Sequence, residues 1–380
     1  MNIMYIAHEQ DLKGSGLCMI EIVKYMISMG HNVWVLLPKD SKPKGCLEET
    51  LKILGANILL TQKIYQWVHS KKTFKYFWFI KHNIRNYILA LNIARQLKSI
   101  KIDIVHTNTS VIDLGVYLSK RLKAKHIWHF REFITAINKK FLFPKRDIRF
   151  INKNSDAVIF TSEILANEYK NKISNSLMNV IYNGIDFEEQ KTEKTIKTDN
   201  IFNLLITGNL CELKNQKEAI LAVSELKKRK INNICIYIAG DGDQLDLKNI
   251  VKSKQIENNV KFLGFVSDMK SLRNNIDIEL VCSKTEGFGR VTIEAMASGI
   301  AVIVSDSELS ATREIINDKI NGLLYKHGNI NDLADKIELL IKNRHYLNKL
   351  SKAAIERSKD FSLKKELQSI EKIYKKVINK

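Results

Sequence analysis

Short, nearly continuous apolar runs alternate with amphipathic stretches along the chain, and they do so in two rounds. The first round opens with NIMYIA (2–7), a loop holding Gly14 and Gly16, and an apolar-periodic helix from Leu17 to Met29 that Gly30 stops. NVWVLL (32–37), IDIVH (102–106), HIWHF (126–130) and DAVIFT (156–161) supply further strands. Runs of this kind, separated by helical patterns, are what parallel strands covered on both faces require. The second round starts at NLLITG (203–208) and continues with a helix over 216–229, strand ICIYIA (234–239), a turn at Gly240-Asp241-Gly242 and strand VKFLGF (260–265). It then reaches a strand, glycine loop, helix and strand in succession: Ile278 to Val281, a turn with Gly287 and Gly289, Arg290 to Ala297, and Ile300 to Val304. DFEEQKTEKTIKTDN (186–200) has little to bury. The pattern predicts two doubly wound α/β domains, 1–186 and 201–360, a linker over 187–200, and a helical tail over 361–380.

Length and composition agree with that division. A chain of 380 residues with 45% hydrophobic content is globular and too long for one ordinary core. Neither end shows a signal peptide, and no run of 18 apolar residues suggests a membrane span. The five cysteines (Cys18, Cys46, Cys211, Cys235, Cys282) are scattered without a C-x-x-C pair, as in reduced cytosolic proteins. No histidine, cysteine or carboxylate cluster has metal-ligand spacing, so no metal is expected.

The net charge of +20 is unevenly placed. Residues 1–186 carry 28 Lys and Arg against 14 Asp and Glu, and the remainder 33 against 27. Residues 50–102 hold ten basic residues and no acid. There, basic residues interleave with Trp67, Phe74, Tyr76, Phe77, Trp78, Phe79 and Tyr87. That mixture over 63–101 suits an anionic membrane surface. A nucleic-acid groove or a plain solvated face would share the composition; the membrane surface is the expected partner, and nucleic acid is not.

The chemistry concentrates in SKTEGFGRVTIEAMASGIAVIVSD (283–306). A helix N-terminus after a glycine loop offers free N–H groups and a positive dipole end, which suits phosphate. Glu286 and Glu294, eight residues apart, would lie about 12 Å apart along a helix axis, too far to share a proton or a small metal. They could grip opposite ends of a long ligand. EGFGRVTIEAMASG resembles the E-x7-E signature of family 4 glycosyltransferases, retaining enzymes of the GT-B fold, in a form like that of bacterial surface-polysaccharide enzymes.

The resemblance covers nearly the whole chain and implies roles residue by residue. DLKGSG (11–16) is similar to the family's glycine loop, placing Gly14 and Gly16 near the donor phosphates. HIWHFRE (126–132) looks like the segment ending in a cleft histidine, which implies that His129 contacts the donor sugar, with Arg131 and Glu132 ordering the cleft or touching the acceptor. TGNLCELKNQ (207–216) resembles the glycine-to-lysine loop, so Lys214 would reach the diphosphate. Asn209 stands where many relatives have arginine, and Arg290 is the alternative second cation. Glu294 would bind the ribose diol, and Glu286 would face the sugar hydroxyls. Gly287, Phe288 and Gly289 would present backbone to sugar and phosphates. In SDSELSATREII (305–316), Ser310 and Ala311 replace two glycines before Glu314, a possible sugar contact that is equally explained as a first-turn acid. NVIYNGID (179–186) matches the turn that ends the first domain, and the tail is expected to pack on that domain.

The implied activity is retaining transfer of a sugar from a nucleotide-sugar, UDP-linked as the first expectation, to a glycan or lipid-linked acceptor. His129, Glu286 and Lys214 are the catalytic candidates, without cofactor or metal, at the cytoplasmic face of the cell membrane. A GT-B nucleotide-sugar epimerase would want an acid/base set that the sequence does not assemble. A dinucleotide oxidoreductase would want a third glycine after DLKGSG. A non-enzymatic lipid- or nucleic-acid-binding protein would leave Glu286, Glu294 and Lys214 idle.

Overall fold

The computed structural model describes residues 1–12, 14–39, 47–70, 76–136, 139–192 and 201–380; side chains at 69, 70 and 76–80 are not described. The chain forms two compact units, Met1–Tyr182 with Lys365–Lys380, and Asn183–Lys364.

The first unit contains strands β1 (Asn2–Ile6), β2 (Asn32–Pro38), β3 (Asn57–Thr61), β4 (His69–Ser70), β5 (Ile104–Thr107), β6 (Lys125–Phe130), β7 (Lys139–Lys140), β8 (Ala157–Phe160) and β9 (Met178–Val180). Seven of them form a parallel sheet in the order β3-β2-β1-β5-β6-β8-β9, while β4 and β7 make a small antiparallel pair. β1, β5 and β8 are covered at nearly every position, as a sheet with helices on both faces demands. β3, NILLT, lies at the sheet edge with only Thr61 buried, and its three-residue apolar run is short enough to pass in sequence for the end of the preceding helix.

The second unit contains β10 (Phe202–Thr207), β11 (Ile234–Ala239), β12 (Val260–Gly264), β13 (Ile278–Val281), β14 (Ala301–Ser305) and β15 (Leu323–Tyr325). Their order is β12-β11-β10-β13-β14-β15, all parallel. Counted along the sheet, this is the 3-2-1-4-5-6 order of dinucleotide-binding folds, and the first unit follows it with one further strand at its end. In each, the order reverses beside the first strand: between β1 and β5, and between β10 and β13.

Two boundaries differ from the sequence reading. Phe187–Gln190, inside the expected linker, is a helical turn capped by Asp186, whose carboxylate accepts from the Glu188 and Glu189 amides. Thr192 hydroxyl then donates to the Ser298 carbonyl at 2.8 Å, so 187–192 is packed rather than free; 193–200 lie outside the described residues. The first helix spans Gly14–Ser28, so Gly16 is a buried helical residue, not a loop residue. A Cβ there would collide with the Asp11 carbonyl, which makes glycine necessary for chain packing at that point. The tail helix, Leu363–Ile378, places Leu367, Ile370, Tyr374 and Val377 in the interior of the first unit, at the spacing its amphipathic pattern predicts.

Candidate active site

In the second unit the loop after β10 and the loop after β13 meet at the switch point. The Lys284 amide donates to the Leu213 carbonyl at 2.8 Å, tying the two together. Lys214 Nζ pairs with the Glu286 carboxylate, and Ser283 Oγ donates to the same oxygen at 2.7 Å. Behind Lys214, Asn215 takes a left-handed conformation (φ 53°), and its amide donates at 2.6 Å to buried Glu218, which also accepts from Tyr325 Oη at 3.0 Å. Gln216 Nε2 reaches back to the carbonyls of Gly208 (3.2 Å) and Asn209 (3.0 Å). Lys214 therefore extends from a loop pinned at its base, while Asn209 is exposed and contributes its carbonyl to that pinning.

Glu286 joins the β13 loop to the segment after β14. Its amide donates to the Leu309 carbonyl at 3.1 Å, and the Ala311 amide donates to its carbonyl at 2.9 Å. The Ser310 amide is occupied too, donating to the Ser307 carbonyl at 3.1 Å. The Ser310 and Ala311 N–H groups, where two glycines were replaced, thus serve the loop itself, and Ala311 sits in ordinary right-handed backbone (φ −70°) that needs no glycine. Glu314 lies half-buried in the short helix Thr312–Ile315. Phe288 is buried, its ring edge-on to Phe361 at 5.6 Å, so only its backbone remains for a ligand. Gly289 caps the helix Arg290–Ala297 with φ 95°; a Cβ there would approach the Thr312 methyl to 2.6 Å.

Glu294 is gripped from both sides. Arg290 Nε donates to Oε1 at 2.8 Å, and both terminal nitrogens of Arg273 stand 3.4 Å from Oε2. Arg290 is therefore an ion-pair partner of the acid it precedes, not an uncommitted phosphate ligand. Arg273 is fully buried and also forks onto Glu279 of β13, at 2.9 and 3.3 Å. Burial works against its charge; Glu279 and Glu294 outweigh it and hold the guanidinium protonated. Sequence reading missed this residue. The signal was Glu279, a charge inside an otherwise apolar central strand, which cannot be buried without a cation.

The first unit assembles its polar residues at the matching place. His129 of β6 is fully buried; its Nδ1 stands 3.2 Å from His106 Nε2 and 3.2 Å from Arg131 Nη2. Arg131 Nε donates to Asn108 Oδ1 at 2.9 Å, and the Asn108 amide donates to the Ser15 carbonyl at 3.1 Å. His106 Nδ1 lies 2.7 Å from Tyr374 Oη, which lies 2.9 Å from Tyr5 Oη. Burial first, then the Arg131 charge, push His129 and His106 well below the usual histidine range, so both rings are neutral. Glu132 accepts from the Thr109 hydroxyl and from the Ser110 amide and hydroxyl, both at 3.0 Å, and so fixes the turn after β5. Gly14 begins the first helix at φ 35° with open space where a Cβ would lie. Among the described residues no cluster could hold a metal ion.

The profile of glycosyl transferases group 1 matches residues 186–357, and that of Glycosyltransferase Family 4 matches residues 12–189. The chain belongs to the family 4 glycosyltransferases. The glycosyltransferase MJ1178 of Methanocaldococcus jannaschii is 27% identical over 315 residues, 82% of this chain and 85% of that protein. A Campylobacter jejuni α-1,4-N-acetyl-D-galactosaminyltransferase, named for an undecaprenol-diphosphate-linked acceptor, is 30% identical over 46% of this chain and 48% of its own length. Among solved structures, Anabaena HepE in complex with UDP and glucose superposes with a TM-score of 0.78 at 21% identity, covering 98% of each chain. The fold is GT-B, with two Rossmann-like units in one glycosyltransferase.

Proposed function

We propose that this glycosyltransferase moves a sugar from a UDP-sugar to a lipid-linked or glycan hydroxyl in surface-polysaccharide assembly, with retention and without a metal. One observation carries the donor reading: two cation–carboxylate pairs, Lys214–Glu286 and Arg290–Glu294, flank the N-terminus of the helix Arg290–Ala297 beside the β10/β13 switch point. Such switch points bind nucleotides, and pairs of this kind can exchange partners for a ligand. Diphosphate would draw Lys214 from Glu286, freeing that carboxylate for sugar hydroxyls. Glu294, held by Arg273 and Arg290, would accept hydrogen bonds from the ribose diol. In the reaction the bond from the anomeric carbon to the diphosphate oxygen breaks, and a bond to the acceptor oxygen forms on the same face. The acceptor proton passes to the departing diphosphate, whose charge Lys214 offsets.

The acceptor side rests on relatives and on one surface. Relatives include enzymes named for O-antigen biosynthesis and for poly(ribitol-phosphate) glycosylation, besides the undecaprenol-linked case. On the helix Tyr76–Gln96, the side chains of Lys81, Ile84, Arg85, Tyr87 and Ile88 are exposed together, a composition suited to anionic headgroups at the cytoplasmic leaflet. Trp67, counted with this surface from sequence, instead lies in the core, stacked on Trp128 at 5.2 Å. Phe74 lies outside the described residues, as do the side chains of Tyr76, Phe77, Trp78 and Phe79. No described helix is long and apolar enough to cross a membrane.

Calorimetric titration with UDP, GDP, ADP and dTDP in EDTA tests the donor site. Selective binding of UDP, weakened about 100-fold in Glu294→Ala, is the expected result, as for two lost hydrogen bonds to a charged group. Failure of every nucleotide to bind would remove the donor assignment.

A further inference from the structure

The chain Tyr5–Tyr374–His106–His129–Arg131 is fully buried but for a sliver of Arg131, and its hydrogen bonds can run in only one direction. A guanidinium donates and never accepts. With Arg131 Nη2 3.2 Å from His129 Nδ1, that nitrogen must present its lone pair. His106 Nε2 meets the same nitrogen at 3.2 Å; two lone pairs would repel, so His106 Nε2 carries a proton and shares the acceptor with Arg131. His106 Nδ1 is then an acceptor, and Tyr374 Oη donates to it at 2.7 Å. Tyr374, its own proton committed, accepts from Tyr5 Oη at 2.9 Å. Burial keeps both phenols protonated, as that direction requires.

One proton remains to be placed. His129 is neutral and lacks a proton on Nδ1, so its proton sits on Nε2, a buried nitrogen with no partner among the described residues. An unpaired buried donor of this kind is destabilising, and an incoming oxygen would relieve it.

We propose that Arg131 and the Tyr5–Tyr374–His106 chain lock His129 in its Nε2–H tautomer, making it a fixed hydrogen-bond donor to a substrate oxygen and not a proton acceptor. Tyr374 and His106 are positioning residues, and the tail helix acts on the site through Tyr374 as well as packing on the first unit. Only the identity of the oxygen, a sugar hydroxyl of the sugar nucleotide, rests on the proposed donor reading. His129 therefore cannot take the acceptor's proton at neutral pH.

The test is nitrogen NMR on the full chain labelled at its nine histidines, with His129→Gln and His106→Gln variants to assign the signals. The expected result is an unprotonated Nδ1 and a protonated Nε2 on His129, unchanged from pH 5.5 to 8. A protonated Nδ1, or an imidazolium in that range, would overturn the assignment. In Tyr374→Phe, His106 loses the donor that fixes it, and the nitrogen signals of both histidines should move or double. Unmoved signals would strip Tyr374 of its positioning role. Adding UDP-glucose, but not UDP, should shift the His129 Nε2 signal. No shift in protein that binds UDP would sink the donor role while the nucleotide site stands; absence of UDP binding would sink the nucleotide site and leave the tautomer to the ligand-free spectrum.

Discussion

The two units use one sheet order and place their polar residues at the same point of it, yet they build opposite kinds of cluster. In the second unit, Lys214, Glu286, Arg290 and Glu294 are charged, partly exposed and paired with one another. In the first, His106, His129, Tyr5 and Tyr374 are neutral, dry and joined by hydrogen bonds of fixed direction. Charges near water can exchange partners at small cost, which suits a site that must admit and release an anion. Neutral groups away from water hold one arrangement, because any reversal strands a buried donor or acceptor. Arg273 stands between the two kinds. It is as buried as the histidines, yet it supports a carboxylate that reaches solvent.

That intermediate position makes Arg273 the sharpest place to break the contrast. Arg273→Met leaves Glu279 buried without a cation and should lower the stability of the second unit by about 3–5 kcal/mol in denaturant titration. Adding Glu279→Leu should restore most of it, since a buried pair is often replaceable by apolar residues. Glu294 would still lack one of its two arginines, so nucleotide affinity should not return with stability. Full recovery of UDP binding in the double variant would show that Arg273 serves the fold alone.

A charge within the first unit's interior should behave in the opposite sense. Asp113 is fully buried, and burial pushes its carboxyl up to about 6, against the hydrogen bonds from Asn86 and Tyr117. Its folded value lies above its unfolded one, so its stabilising contribution is full below about pH 4 and fades as pH rises through 6. A shift of about two units corresponds to about 3 kcal/mol. Asp113→Asn should therefore raise the denaturation midpoint of the first unit above pH 6, with the gain vanishing near pH 4. A gain independent of pH would contradict this origin.

The smallest effect on stability is expected at the exchangeable pair. Lys214→Met removes a partly exposed ion pair and should change stability by less than about 1 kcal/mol, while UDP affinity falls about tenfold or more. A large loss of stability would mean that the pair is part of the fold, not a partner waiting to be exchanged.

Much of the second unit could be read from the chain. The run Ile278–Val281 and the helix Arg290–Ala297 lie where periodicity put them, and Gly289 occupies a positive-φ cap that the glycine loop implied. Strand ICIYIA likewise runs from Ile234 to Ala239. The edge strand Asn57–Thr61 and the turn Phe187–Gln190 were not visible: the first has an apolar run of only three residues that a helix end could equally carry, and the second has no buried residue. Of the candidate site, the types and positions of Lys214, Glu286, Arg290, Glu294 and His129 were legible; their partners were not. Arg290 was read as a phosphate ligand and is paired with Glu294, four residues on, because a helix turn brings i and i+4 together whatever else the arginine could bind.

Local periodicity and backbone freedom are properties of neighbouring residues, so the two rounds of strand and helix, the glycine positions and the inventory of charges could be read along the chain. That Arg273 answers Glu294, 21 residues away, and that Tyr374 reaches His106 across 268 came only with the folded packing. A buried polar group must be satisfied by whatever the fold brings within about 3 Å, and sequence distance places no limit on which residue that is.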